Sequence, residues 1–173
     1  MLDSRTHDGA VWKGVAAGVA GGLVASYVMN RFQAVTKKLS AAKGGSGQGE
    51  AEKNEGEDAT VKTAEAITGA FGHPLSNDEK KVAGPVVHYA FGATMGGVYG
   101  ALAELSPRLA RGGGMPFGTA LWLAADEVAV PALGLGKKPN ETPATTHAYA
   151  LASHAVYGLT TDLVRRAVRR VLH

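Results

Sequence analysis

Charge is laid out in blocks along this chain, and those blocks constrain the fold more than any other feature. From 112 to 136 the only charged residues are two adjacent carboxylates, Asp126 and Glu127. A run of about 25 residues with a single acidic pair is long enough for a bilayer, which takes about 20. Three further blocks, 14–29, 86–103 and 143–163, are similarly poor in charge. The charged residues, 19% of the chain against roughly 25% in an average globular protein, crowd instead into 36–65, 76–81 and the C-terminus. The expected fold class is therefore all-α: a polytopic membrane helical bundle of about four transmembrane helices. A soluble helical bundle is the alternative, because Ala and Gly dominate where Leu and Ile would normally sit.

Two of the blocks carry glycine at every fourth position, Gly14, Gly18 and Gly22 in the first and Gly92, Gly96 and Gly100 in the second. In a water-exposed helix each interior glycine costs up to about 1 kcal/mol relative to alanine. Between membrane helices the same residues let backbones approach closely, so both stripes read as helix-packing seams, with self-association through them as an expected partner interaction. The first block, bounded by Lys13 and Arg31, resembles a signal peptide in length only. Nothing after it reads as a cleavage site, and retention is expected.

The division expected is a first segment with its transmembrane helix at 1–33, a polar linker at 34–75, and a three-helix membrane core with a basic tail at 76–173. Within the linker, 40–58 is low in complexity and expected to be disordered. Val61, Ala64, Ile67 and Phe71 then fall at helical spacing and predict a short amphipathic helix. Ser76 and Glu79 have capping-box spacing, so a helix should start there and bend near Gly84-Pro85. Pro116 suits a first helical turn, and Thr142 followed by Pro143 predicts the start of the last helix.

Several chemistries are excluded. Without cysteine there is no disulfide, thiolate nucleophile, or Cys-type zinc or iron–sulfur site. No phosphate loop, nucleophile motif or metal signature is present, so no enzyme, metal or resident cofactor is expected. The net charge of +3 and pI near 9.2 do not indicate nucleic acid, because Lys and Arg flank apolar blocks and form no aromatic-interleaved face. The partner that the pattern implies is the lipid bilayer.

The stretch HYAFGATMGGVYGALAELSPRL, then PALGLGKKP, then the His154 region running into RRAVRRVL, resembles the YagU-type bacterial inner-membrane proteins, a family without a characterised mechanism. His88, Tyr99, Glu104, Pro107, Pro131, Gly134, His154, Arg165 and Arg166 are the matching positions. The resemblance implies a multi-pass inner-membrane protein with a loose link to acid tolerance, and it supplies no reaction. Lys and Arg nearly tie across the two sides of the expected topology. The dense basic tail tips the expectation toward both termini in the cytoplasm.

Four alternating spans also set depths. With Gly84, Gly136 and Pro143 as boundaries, His88 and His147 are each four residues inside, about 6 Å deep, and should be level. Asp126 and His154 lie ten and eleven residues inside and should meet near the midplane, about 15 Å deep. Pro131, lacking an amide hydrogen, leaves the Glu127 carbonyl without its helical donor and predicts a kink. Adjacent helical residues point about 100° apart, so one acid should face the fourth helix and the other the first or second. Three functions are compatible: a structural or stress-related membrane protein without turnover, a proton- or ion-linked transporter or channel using Asp126, Glu127 and His154, and a b-type haem protein with His88 and His147 as axial ligands. Each histidine also has a plainer reading, as an interfacial or hydrogen-bonded side chain.

Overall fold

The computed structural model describes residues 4–42 and 48–172. The chain is all-helical, with α1 (Ser4–Ala42), α2 (Gln48–Ala70), α3 (Asn77–Leu105), α4 (Met115–Trp122), α5 (Val130–Ala132) and α6 (Ala144–Val171). A π-helical segment, Leu123–Ala129, joins α4 to α5 into one rod, and a short 3-10 turn, Pro139–Glu141, precedes α6. Among the described residues one helix, over Ala10–Ser40, is long and apolar enough to cross a membrane.

α1 lies between α3 and α6; α4 packs on α6, and α2 on α3. Pairing of the two glycine seams fixes the central contact. A Cβ added to Gly18 would strike the Gly96 backbone, one on Gly22 the Gly92 carbonyl, and one on Gly100 the Gly14 carbonyl. The numbers run in opposite directions, so α1 and α3 are antiparallel, with room for hydrogen only. Both seams, through which self-association was expected, pack on each other within this one chain.

α3 and α6 run parallel in a constant register. The Tyr157 hydroxyl donates to the Gly92 carbonyl at 2.6 Å, and Arg169 meets Glu104 at 2.7 Å, both 65 residues apart. Much of the interior left by these close approaches is small or polar, with Ala17, Ala25, Ser26, Ser153 and Thr161 wholly buried, beside Tyr99 and an apolar cluster of Met29, Leu121 and Tyr157. Large apolar side chains face outward instead, among them Trp12, Leu23, Val24, Phe91, Leu123, Val128 and Leu163.

Local signals explain most helix ends. Ser76 and Glu79 form the expected capping box at the start of α3, the Ser76 amide donating to the Glu79 carboxylate at 2.8 Å. Hydrogen bonds from Ser76 hold that carboxyl down at about 2. α3 then runs on through Pro85 as a single helix. At the last helix the expected start moves by one residue. Pro143 is itself the cap, and the Thr142 hydroxyl donates to the Lys138 carbonyl. Of the stretch 40–58 that was expected to be disordered, 40–42 end α1 and 48–58 belong to α2, while 43–47 lie outside the described residues. The second half of α2 docks on the start of α3, where Lys80 pairs with Glu65 at 2.7 Å and Ala64 is buried; Ile67 and Phe71 remain exposed.

Candidate functional site

The rod carrying Asp126 and Glu127 is built by two prolines and two glycines. Gly114 caps it with a φ of 80°, in the left-handed region that glycine tolerates. A side chain there would also strike the Gly158 carbonyl of α6. Pro116 stands in the first turn. Further on, Pro131 cannot donate to Glu127, and the backbone answers by lengthening its hydrogen bonds rather than breaking: the Val130 amide reaches back to Ala125. Gly134, with φ 70°, ends the rod in a Schellman motif, its amide bonded to Pro131 O at 3.1 Å and that of Leu135 to Val130 O at 2.9 Å. Asp126 and Glu127 therefore sit on a π-helical turn that proline imposes.

Both acids face α6. The His147 Nδ1 lies 2.6 Å from Glu127 Oε1, and its Nε2 is 3.1 Å from the Pro139 carbonyl. The His154 Nδ1 lies 3.5 Å from Asp126 Oδ2 and donates to the Ala150 carbonyl at 3.0 Å. The structure thus puts Asp126 beside His154. Glu127, however, does not turn toward the first or second helix. The widened turn directs both carboxylates to one neighbour, where they separate along α6 rather than around their own axis. His147 and His154 are two turns apart, about 10 Å.

His88 is placed differently from the sequence expectation. In the α3–α6 register it falls level with Ser153, and the imidazole it senses is His154, not His147. Gly84 marked the expected bilayer boundary, with a bend there; α3 instead continues through Gly84-Pro85 as one helix, and its register with α6 sets His88 six residues, about 9 Å, beyond the level of His147. Both nitrogens of His147 are engaged by Glu127 and Pro139, so the two histidines are not a level, open pair of axial ligands. No cluster suited to a metal ion occurs among the described residues.

Around the Asp126–His154 pair lie polar atoms without protein partners. Ser26 Oγ, His88 Nε2, Trp122 Nε1 and Ser153 Oγ are all buried and lack a hydrogen bond. Each such group costs about 1–3 kcal/mol if left unsatisfied, which water in a polar interior relieves. Farther along the same face of α6, Asp162 is almost wholly buried, with Arg165 NH2 on one oxygen at 3.0 Å and Arg166 Nε on the other at 2.7 Å. Arg169 grips Glu104 with two nitrogens, at 2.7 and 3.0 Å. Sequence reasoning passed over Asp162 and Ser26. The spacing TTDLVRR held the signal for Asp162, since arginines three and four residues on share its helix face; a serine among glycines carries none.

Compared with known proteins, residues 65–163 match the model of a family described as a protein of unknown function, DUF1440. No curated protein and no solved structure matches the chain.

Proposed function

The chain belongs to the DUF1440 family, and on that premise we propose that it is a multi-pass bacterial inner-membrane protein of the YagU type whose acid–imidazole pairs take up and relay protons. The spans are 14–29, 86–103, 115–132 and 143–163, with α2 outside the bilayer and both termini cytoplasmic. The outer surface supports the membrane reading: alongside a small apolar core at Met29, Leu121 and Tyr157 much of the interior is small or polar, while many leucines, valines and Trp12 face out. Water would penalise so much exposed apolar surface, whereas lipid accepts it and leaves close backbone packing to hold the helices. The rod over 115–132 measures about 27 Å, near the hydrocarbon thickness.

The observation that carries the proton reading is Asp126 Oδ2 at 3.5 Å from His154 Nδ1, on a π turn within a segment free of other charge save Glu127. Ionisable groups are expensive there and ordinarily mark a pathway. In the carboxylate–imidazolium state the Nδ1 proton lies between Ala150 O and Asp126; its transfer to Asp126 gives the neutral acid and imidazole and gives up the Ala150 hydrogen bond. The Glu127–His147 pair, closer to the loop at Pro139, offers a second station toward one surface. Vesicles reconstituted with the protein and an internal pH dye should acidify faster than empty ones under an inward proton gradient. Asp126→Asn and His154→Ala should abolish the difference, with Glu127→Gln reducing it.

A second reading is favoured by the glycine seams: a structural, stress-related membrane component in which the pairs only fix helix register. Equal proton leak in wild type and all three variants, each folded, would establish that reading and end the relay.

A further inference from the structure

Two concavities flank the last turn of α3. One is basic, lined by Glu104, Arg165, Arg166, Arg169 and Arg170. The other is apolar, lined by Val11, Trp12, Val15, Ala16 and Leu105. Their linings share no residue, but each takes one of two consecutive residues of α3, Glu104 and Leu105, so they lie at the same level on adjoining faces of that helix end. From this adjacency we propose that the basic cleft binds the phosphate of an anionic phospholipid while an acyl chain of the same molecule lies in the apolar groove, an inference that rests on the membrane reading above.

The charge balance favours an anion. Four arginines line the cleft, and the carboxylates that touch them are Glu104 and Asp162, the latter buried beneath Arg165 and Arg166. Those carboxylates also orient the guanidinium groups: Arg169 is held in a two-nitrogen grip, and Arg166 is tied to Asp162 and to the Ala110 carbonyl at 3.2 Å. Fixed forks of this kind match phosphate oxygens with little ordering still to be done. Arg165 is 8% exposed, and its Nε is buried without a hydrogen-bond partner. Arg170 forms no ion pair among the described residues. The donors open to the cleft are those of Arg170 and of the half-exposed Arg166, and these are the ones a phosphate would meet.

The groove says which kind of molecule supplies it. A free phosphate would leave the apolar concavity empty, and a nucleotide would leave it facing a base or sugar. Trp12, 59% exposed, stands at the groove at the level of the arginines. An amphipathic ring at that depth marks the headgroup layer of a bilayer. Head and tail of one lipid then satisfy both concavities across a single helical turn.

The test uses the full-length protein purified in mild detergent, with phosphatidylglycerol, phosphatidylcholine of the same chains, and inorganic phosphate as probes. Retained lipid is read by native mass spectrometry and stabilisation by thermal unfolding. Phosphatidylglycerol should be retained and raise the melting temperature; the other two should not. Arg170→Gln removes an exposed, unpaired side chain and should leave the unliganded melting temperature unchanged. It should weaken phosphatidylglycerol binding about tenfold, the scale of one charge-assisted hydrogen bond. Trp12→Ala should weaken it as well. Equal stabilisation by inorganic phosphate would reassign the cleft to a free anion. Equal retention of phosphatidylcholine, or unchanged binding in Arg170→Gln, would remove the site. In each of these cases the protein still sediments with membranes, so the membrane reading fails separately, by its own fractionation.

Discussion

At the scale of single residues, the α1–α3 contact leaves no space for even one methyl group. Gly18→Ala and Gly96→Ala each place a Cβ against partner backbone, which cannot swing aside. Each should destabilise by about 1–3 kcal/mol, the usual cost of overpacking. Gly69 in α2 is the control, since a Cβ there meets nothing within 4 Å. Gly69→Ala should be neutral or stabilising by up to about 1 kcal/mol. Thermal unfolding of the three variants in one detergent decides the matter. The fourfold glycine spacing announced close packing in the sequence. It could not say that the seams would choose each other, because a stripe of hydrogens fits any other stripe of hydrogens.

Elements add a constraint that no single residue shows. The π turn exists because Pro131 withholds one N–H, and the two acids face α6 because of that turn. Pro131→Ala restores the donor, lets the segment close to an α-helix and rotates Asp126 by about 100° away from His154. Proton flux should then fall as it does in Asp126→Asn, while the melting temperature holds or rises. Flux at the wild-type level would uncouple the turn from the relay. Pro131 was legible as a disturbance of its helix, though the structure shows a π turn there where a kink was expected, and the capping box and the approach of Asp126 to His154 were legible too. The depth of His88 was not. Gly84-Pro85 carries the local signs of a bend, yet Gly84 is buried against Thr60 and Val61 of α2 and the helix runs on through Pro85. Tertiary packing overrode the local signal.

For the whole molecule, Glu104 ties the end of α3 to the end of α6, and the tie depends on pH. The Arg169 hydrogen bonds hold the Glu104 carboxyl below the ordinary carboxylate value. Its folded pKa is thus lower than its unfolded one. The stability it gives is complete above the unfolded value and is lost as pH falls through the folded one. Melting temperature in detergent should therefore be flat from neutrality down to the usual carboxylate range and drop below it. Glu104→Gln should start lower and show a shallower drop. The membrane assignment has a blunter check: the protein should remain in the pellet after alkaline carbonate washing, and recovery as a folded, detergent-free soluble species would refute it.

The helix at the centre of the bundle is also the earliest in the chain. α1 touches both α3 and α6, and the family match at 65–163 does not include it. On the proposed membrane reading, α1 would enter the bilayer before either α3 or α6 exists, and its glycine stripe would wait there without its partners. Among the described helices α1 is also the one long and apolar enough to cross. The helices that follow would arrive beside it and could carry histidine, aspartate and arginine on the faces they turn toward it. Order of insertion would then set how polar each helix can be.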